Sequence, residues 1–300
     1  MTSAGQAAPE GQPAQPAAKK KARARRSAWR TLRRNPIAVA ALVGFVLLVL
    51  AVILAPLIAP IPPNAHDYEH LLEPPTRAHP FGTDDLGRDI LSRVLWGGRE
   101  SLRVAIMAIA IAMSGGIVVG LVSGYFGGWV DTLIMRIVDV LLAFPSILLL
   151  LSIVAALGPN LGTVLIALGI SAIPSFSRLV RGSVLAARNY EYVTAARVLG
   201  ASDAYIMFTQ ILPNIMSPLI IYATVGLGAA ILTTAGLSYI GLGAQPPSPE
   251  WGAMLNAGRT HLRDAWWLSV FPGLAIFLAV LFVNLLSDGL RDALDPKLRL

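Results

Sequence analysis

The chain has 300 residues, 55% hydrophobic and 14% charged, with a mean hydropathy of +0.65. An average soluble domain carries about 25% charged residues, so the deficit and the long apolar runs exclude an ordinary soluble domain and place the chain in the membrane class. Cysteine is absent, which excludes disulfides, thiolate metal sites and cysteine nucleophiles; nine of the 24 basic residues lie before residue 35, so the net charge of +7 belongs largely to a tail and does not indicate a nucleic-acid-binding surface.

Residues 1–18 are Ala, Pro, Gln and Gly with almost no charge, a composition expected to be disordered. The basic run from Lys19 to Arg34 follows, and then 37–59 is almost entirely apolar. Those 23 residues span about 35 Å as a helix, enough to cross a bilayer core of about 30 Å. The apolar stretch is too long for a cleaved signal, so it is expected to be an uncleaved first span. Five more spans are expected at about 102–124, 133–157, 161–176, 219–240 and 268–286, the fourth interrupted by Pro174. Gly116, Gly120 and Gly124 repeat at intervals of four in the second, a spacing that lets another helix backbone approach closely.

Six spans put both termini on one side. With the N-terminus inside, the inner segments hold 17 of the 24 basic residues, including Arg136, Arg178, Arg181, Arg188, Arg197, Arg291, Lys297 and Arg299. The positive-inside rule therefore orients the chain N-in, C-in, with 60–101 and 242–267 outside.

Several chemistries are missing. No G-x-x-x-x-G-K-[ST] is present, and Lys19, Lys20, Lys21 and Lys297 are the only lysines, so an ATPase site of the P-loop kind lies on another polypeptide. Asp139 is the one good intramembrane acid; Arg136 at i−3 is its expected partner, and a structural ion pair is preferred to a relay. His66 and His70 share an i, i+4 spacing, but prolines crowd the region and no third ligand is obvious, so a solvated outer loop is expected and no metal. The sequence singles out no catalytic residue, and it leaves the substrate-binding residues unknown.

The stretch "EYVTAARVLGASDAYIMFTQILPN" (191–214) is a polar interruption between apolar spans. "EYVTAARVL" has good helix formers, Gly200 suits the left-handed C′ position, Ser202 is a natural N-cap, and Asp203 falls in the next first turn. The second helix is expected to end before Pro213, with Tyr205, Ile206, Phe208, Ile211 and Leu212 as its apolar face. Three readings stand side by side: a helix that docks into a groove on another protein, an amphipathic helix on the membrane surface, and a DNA-binding helix–turn–helix. The third is disfavoured because Arg197 is the one base in the stretch.

This segment resembles the cytoplasmic EAA loop of the membrane subunits of binding-protein-dependent ABC importers. Ala195, Ala196, Gly200, Leu212 and Pro213 match that pattern in register; Thr194 stands where the family has Glu and Gln210 where it has Ile, which removes the basis for any salt bridge made by that Glu. "HPFGTDDLGRDILSRVLWGGRESLRV" (79–104), "LSYIGLGAQPPSPEWGAML" (237–255), "DGLRDALDP" (288–296) and the first span are similar to the C-type permease subunits of the dipeptide, oligopeptide and nickel branch. The likeness covers about 30–298.

The resemblance implies an all-α membrane protein with six transmembrane helices and the type I ABC importer permease fold. Its parts are a disordered basic tail (1–35), an N-terminal span and outer loop (36–78) and the transmembrane domain (79–300), with a coupling loop at about 188–217. It implies a pore subunit rather than an enzyme, multi-pass in the cell's inner or plasma membrane with both termini cytoplasmic. Tyr192, Thr194, Ala195, Ala196, Leu199, Gly200, Asp203, Leu212 and Pro213 form the ATPase-coupling loop. The implied partners are a sister permease subunit in a pseudo-twofold heterodimer, two ATP-binding subunits, an external peptide-binding protein that meets 79–101 or 242–267, and membrane lipid, but no nucleic acid. No cofactor is expected on this chain, since ATP and Mg belong to the partner ATPases. A stand-alone secondary transporter or channel is the alternative, disfavoured by the lack of mid-membrane ionisable groups. A membrane-anchored regulator fails on the five further spans.

Overall fold

A computed structural model describes residues 33–294, and all elements within it are helical apart from one isolated bridge between Thr83 and Asp89. The tail up to residue 32, with most of the basic run, and Lys297 and Arg299 lie outside the described residues.

Helix α1 (Pro36–Ile53) starts at Asn35, whose side-chain oxygen accepts from the Ile37 and Ala38 amides, with Pro36 where the missing N–H costs nothing. The expected single run to residue 59 is instead broken at Leu54, and α2 (Ala55–Ile58) follows. Pro56 has no N–H to give the Val52 carbonyl four residues back. Arg99 supplies the missing donors, its Nε to Val52 O at 2.9 Å and its Nη2 to Ile53 O at 2.6 Å.

Helix α3 runs Ile90–Phe126, 37 residues, and so begins 12 residues before the expected span. Asp89 caps it, accepting from the Ser92 amide at 2.7 Å. Its first turns carry Arg93, Arg99, Glu100 and Arg103, which hide them from a hydropathy reading. Several of these polar groups are answered from far along the chain: Arg93 donates to Pro63 O at 3.0 Å, and Glu100 accepts from Ser248.

The expected third span, 133–157, is two helices, α4 (Gly128–Ala143) and α5 (Ser146–Leu157), bent 86° at Phe144–Pro145. Phe144 takes the extended conformation (φ −80°, ψ 137°) that a following proline imposes. Helix α6 (Leu161–Ala187) passes through Pro174 unbroken and ends 11 residues beyond the expected boundary at 176. Among the described residues there are thus five helices long and apolar enough to cross a membrane, or six crossings if the bent pair is one.

α3 and α6 meet backbone to backbone along the glycine row. A Cβ on Gly116 would collide with Phe176, one on Gly120 would lie 2.6 Å from both Ser177 O and Val180 Cβ, and one on Gly124 2.8 Å from Val184 Cβ. The row is therefore a packing surface, as its spacing predicts. Asp139 pairs with Arg178 of α6 at 2.6 Å and not with Arg136, because the packing of α4 against α6 brings that guanidinium closer. About two turns earlier on α4, Asp131 accepts from Arg181 Nε and Nη2, both at 2.6 Å, and from the Ser123 hydroxyl, tying α3, α4 and α6 together.

Helix α8 runs Asp203–Tyr239, helix α9 Trp251–Gly258 and helix α10 Trp267–Leu294. The segment "QPPSPEW" folds back on α3. Ser101 donates to Glu250 Oε1 at 2.9 Å, the buried Trp251 donates from Nε1 to Val94 O at 2.8 Å, and residues 245–247 remain exposed.

Burial pushes the Glu250 carboxyl above its ordinary 4.5, against the Gly252 and Ala253 amides and the Ser238 and Ser101 hydroxyls, which pull it down. A raised native value means the folded chain keeps a proton that the unfolded chain releases, so stability falls as pH rises through that window. Glu250→Gln is expected to flatten the fall in thermal midpoint from about pH 4.5 upward. An unchanged slope would assign it to another group.

Candidate coupling site

Helix α7 (Glu191–Val198) and the start of α8 project from one end of the bundle. One face of α7 is anchored. Val193 is fully buried against Leu121 and Tyr125 of α3, Val180, Val184 and Ala187 of α6, and Ile206, Met207 and Ile211 of α8, with Ala196 packed on the same cluster. The other face is bare: Tyr192, Thr194 and Ala195 are exposed, and the tip residues Val198 and Leu199 are 81% and 85% exposed. The Ala195–Ala196 pair is thus divided, one outward and one inward. Thr194 faces outward, where the family's acid would stand.

The turn after α7 is a Schellman motif. Gly200 has φ +79°, its N–H donates to Arg197 O at 3.0 Å, and the Ala201 N–H donates to Ala196 O at 3.0 Å. No atom lies within 4 Å of where a Gly200 Cβ would sit, so the glycine serves its backbone angle alone. The Ser202 hydroxyl then accepts from the Tyr205 amide at 3.3 Å, which caps α8.

Asp203 does more than favour a helix start. Its Oδ1 accepts from the Tyr125 hydroxyl at 2.6 Å, and the Arg197 guanidinium lies 5.7 Å from the centre of the Tyr125 ring. Arg188 donates to Gly124 O at 3.0 Å, the last turn of the same helix. The loop is therefore clamped to the end of α3 by groups from both of its sides.

The expected stop before Pro213 does not occur. Residues Ile206–Ile211 form a π-helical turn, Leu212 donates to Met207 O, and the helix continues to Tyr239. A proline normally strands a carbonyl four residues back. Here a wide π turn precedes it and the helix continues through the proline, with the Thr209 hydroxyl and the Asn214 side-chain amide donating to Tyr205 O and Gln210 O in the same turns. The wider period also changes the buried face to Ile206, Met207, Ile211 and Ile215, leaving Tyr205 and Phe208 exposed. Leu212 packs half-buried on the core and Pro213 is exposed.

Sequence reading missed Val193, Val198, Tyr125 and Arg188. The adjacent apolar pair Val198–Leu199 before a glycine in a polar stretch was a legible signal. Tyr125 gave none, because it lies 78 residues from Asp203.

Between α3, α5, α6 and α8 lies a cavity of about 290 Å³. Ser146, Ser171, Ser175, Tyr222 and Thr233 bring hydroxyls to its otherwise apolar wall.

A profile described as "Binding-protein-dependent transport system inner membrane component" matches residues 116–300, and one described as the "N-terminal TM domain of oligopeptide transport permease C" matches residues 24–75. The glutathione transport system permease protein GsiD of Pectobacterium atrosepticum is 47% identical over 275 residues, 91% of each chain. The dipeptide transport system permease protein DppC of Alkalihalophilus pseudofirmus is 46% identical over 274 residues, covering 91% of this chain and 90% of that one. The di/tripeptide permease protein DppC of Pseudomonas aeruginosa is 44% identical over 277 residues, 90% and 91%. Among solved structures, one of the MetNI methionine ABC transporter in inward-facing conformations matches with a TM-score of 0.54 at 18% identity, over 67% of this chain and 96% of that one, a likeness of fold. With a bundle of this fold, five to six membrane-crossing helices and a protruding loop in the EAA register, the chain belongs to the family of inner-membrane components of binding-protein-dependent transport systems, and it is a multi-pass permease subunit, not an enzyme.

Proposed function

We propose that this permease imports peptides or peptide-like solutes, with α7 as the point where a separate ATPase subunit engages it. The single observation that carries the coupling role is the two-faced helix: Val193 fixed in a core shared by α3, α6 and α8, and Val198 and Leu199 presented bare at the tip. A helix on a lipid surface would also bare apolar groups, but it would not need the Tyr125–Asp203 clamp. The peptide class rests on the relatives' names.

In this reading a sister permease completes the pore and two ATPases hold the ATP and Mg, so the chain itself carries no cofactor. An external binding protein delivers the solute at the end opposite α7. Both termini are cytoplasmic, in keeping with the excess of Lys and Arg on the α7 side. The hydroxyl-lined cavity forms this subunit's share of the solute path.

The test is the double variant Val198→Asp, Leu199→Asp. Each apolar side chain contributes roughly 1.5–3 kcal/mol if buried at a contact, so ATPase co-purification and ATP-driven uptake are expected to fall at least about tenfold while the subunit stays in the membrane. Full co-purification with uptake intact would refute the coupling role. Uptake by the chain without any ATPase would favour the secondary transporter.

A further inference from the structure

The connection between α2 and α3 gathers Asp67, His70 and His79, with one ligand atom of each lying within 4.8 Å of the others. The i, i+4 pair of His66 and His70 does not come together here. His66 turns aside to stack on Tyr68, with centroids 5.7 Å apart, and the third group comes from His79, nine residues past His70.

The site is built from behind. His79 is 9% exposed, and its Nδ1 lies 3.0 Å from Oδ1 of Asp89, itself 3% exposed. The other Asp89 oxygen is held by the Ser92 amide at the start of α3. A carboxylate at Nδ1 keeps the proton there and leaves Nε2 as a lone-pair donor, the arrangement found behind metal-bound histidines. The His70 and His79 ring centroids are 5.9 Å apart. Two imidazoles on one tetrahedral ion, at Zn–N of about 2.1 Å, place their centroids about 5 Å apart, so only a small closure is needed.

The backbone around these groups is tied by the Thr83 hydroxyl, which donates to His70 O and accepts from the Glu73 amide at 2.9 Å. His79 O accepts from the Thr76 amide at 2.9 Å. Nearby, the Glu73 Oε2 is buried with no hydrogen-bond donor, an uncompensated acceptor that adds negative potential beside His70.

We propose that Asp67, His70 and His79 bind one divalent transition-metal ion of borderline softness, Zn²⁺ being the type, with Asp89 as the group that orients His79. Two imidazoles and a carboxylate suit Zn²⁺ better than Ca²⁺ or Mg²⁺, which take oxygen ligands. Three protein ligands leave a fourth position for water or a group from a partner. The ion would pin the loop that covers the start of α3, at the end of the bundle opposite α7.

The test uses the full chain without a polyhistidine tag, purified in detergent and stripped by a chelator, with Zn²⁺ titrated calorimetrically and Co²⁺ followed by its visible absorption. One Zn²⁺ per chain is expected, with Co²⁺ bands of tetrahedral type. His70→Ala and His79→Gln should each weaken Zn²⁺ binding more than tenfold, and Asp89→Asn by about 10–100-fold. His66→Ala and His261→Ala should leave it unchanged. His70 is exposed, so its replacement leaves the fold intact, and size-exclusion elution checks this. Absence of stoichiometric Zn²⁺ binding, binding that survives His70→Ala, or equal loss in His66→Ala would overturn the assignment.

Discussion

Gly120→Leu is expected to lower the thermal midpoint of the detergent-purified subunit by several degrees and to reduce uptake with it. The reason is local. A Cβ at this position would lie 2.6 Å from Ser177 O and 2.6 Å from Val180 Cβ. The first of these is backbone of α6 and cannot rotate away, so the helices must part. Overpacking typically costs about 1–3 kcal/mol, occasionally more, and each kcal/mol moves the midpoint by roughly 2–4 °C in a protein of this size. Parting α3 from α6 also disturbs Leu121, Val180 and Val184, the floor on which Val193 rests. Gly182→Ala is the control: no atom lies within 4 Å of its Cβ position, and it sits in the same α6. It should be neutral or stabilising, since glycine costs about 0.5–1 kcal/mol relative to alanine inside a helix. If Gly120→Leu melts with the wild type, the α3–α6 contact is looser than described.

Gly200→Val should leave the subunit in the membrane and sharply weaken ATPase binding and uptake. Here the cause is not space, which is open around this residue, but a φ of +79°. The left-handed region costs an L-residue about 1–2 kcal/mol, and a β-branched residue is least tolerated there. Leaving it breaks the two turn bonds, from Gly200 to Arg197 O and from Ala201 to Ala196 O, and releases the angle between α7 and α8. Gly200→Asn separates this from a simple effect of bulk, because asparagine adopts the left-handed conformation readily. It should retain most uptake. Equal loss in Gly200→Asn and Gly200→Val would mean that the site tolerates no side chain for a reason of contact, and normal uptake in Gly200→Val would sink the coupling argument.

Much of this was legible in the sequence, for a reason that also sets its limit. Hydropathy reports the length of an apolar run, not of a helix, so five of the six expected spans fall in helices long enough to cross, the expected 133–157 span is the bent α4–α5 pair, and most boundaries moved. The start of α3 was hidden by Arg93, Arg99 and Glu100, whose acceptors and donors on Pro63, Val52 and Ser248 come from other parts of the chain. Prolines mislead in both directions. Pro145 marks an 86° bend, whereas Pro174, Pro218 and Pro272 lie inside unbroken helices and Pro213 is absorbed by a π turn. Local pattern alone does not tell these outcomes apart. In the loop, the Gly200 turn and the Ser202 cap were readable because they are local. The Tyr125–Asp203 bond was not, because only the packing of α3 brings its partners together.

That bond gives α3 a property beyond its role as packing partner. At 37 residues it is a rod of about 55 Å, and both of its ends are engaged: Tyr125 and Gly124 by Asp203 and Arg188 on either side of α7, Asp89, Arg99 and Ser101 by His79, Val52 and Glu250. A tilt of about 10° about one end displaces the other by about 10 Å at this length. Linkage between two sites on such a rod runs equally in both directions. On the proposed coupling role, any free energy by which nucleotide-driven closure at the α7–α8 loop favoured one tilt would be returned in full as altered affinity at the far surface, and a cargo-loaded delivery protein bound there would report to the proposed ATPases through the same helix.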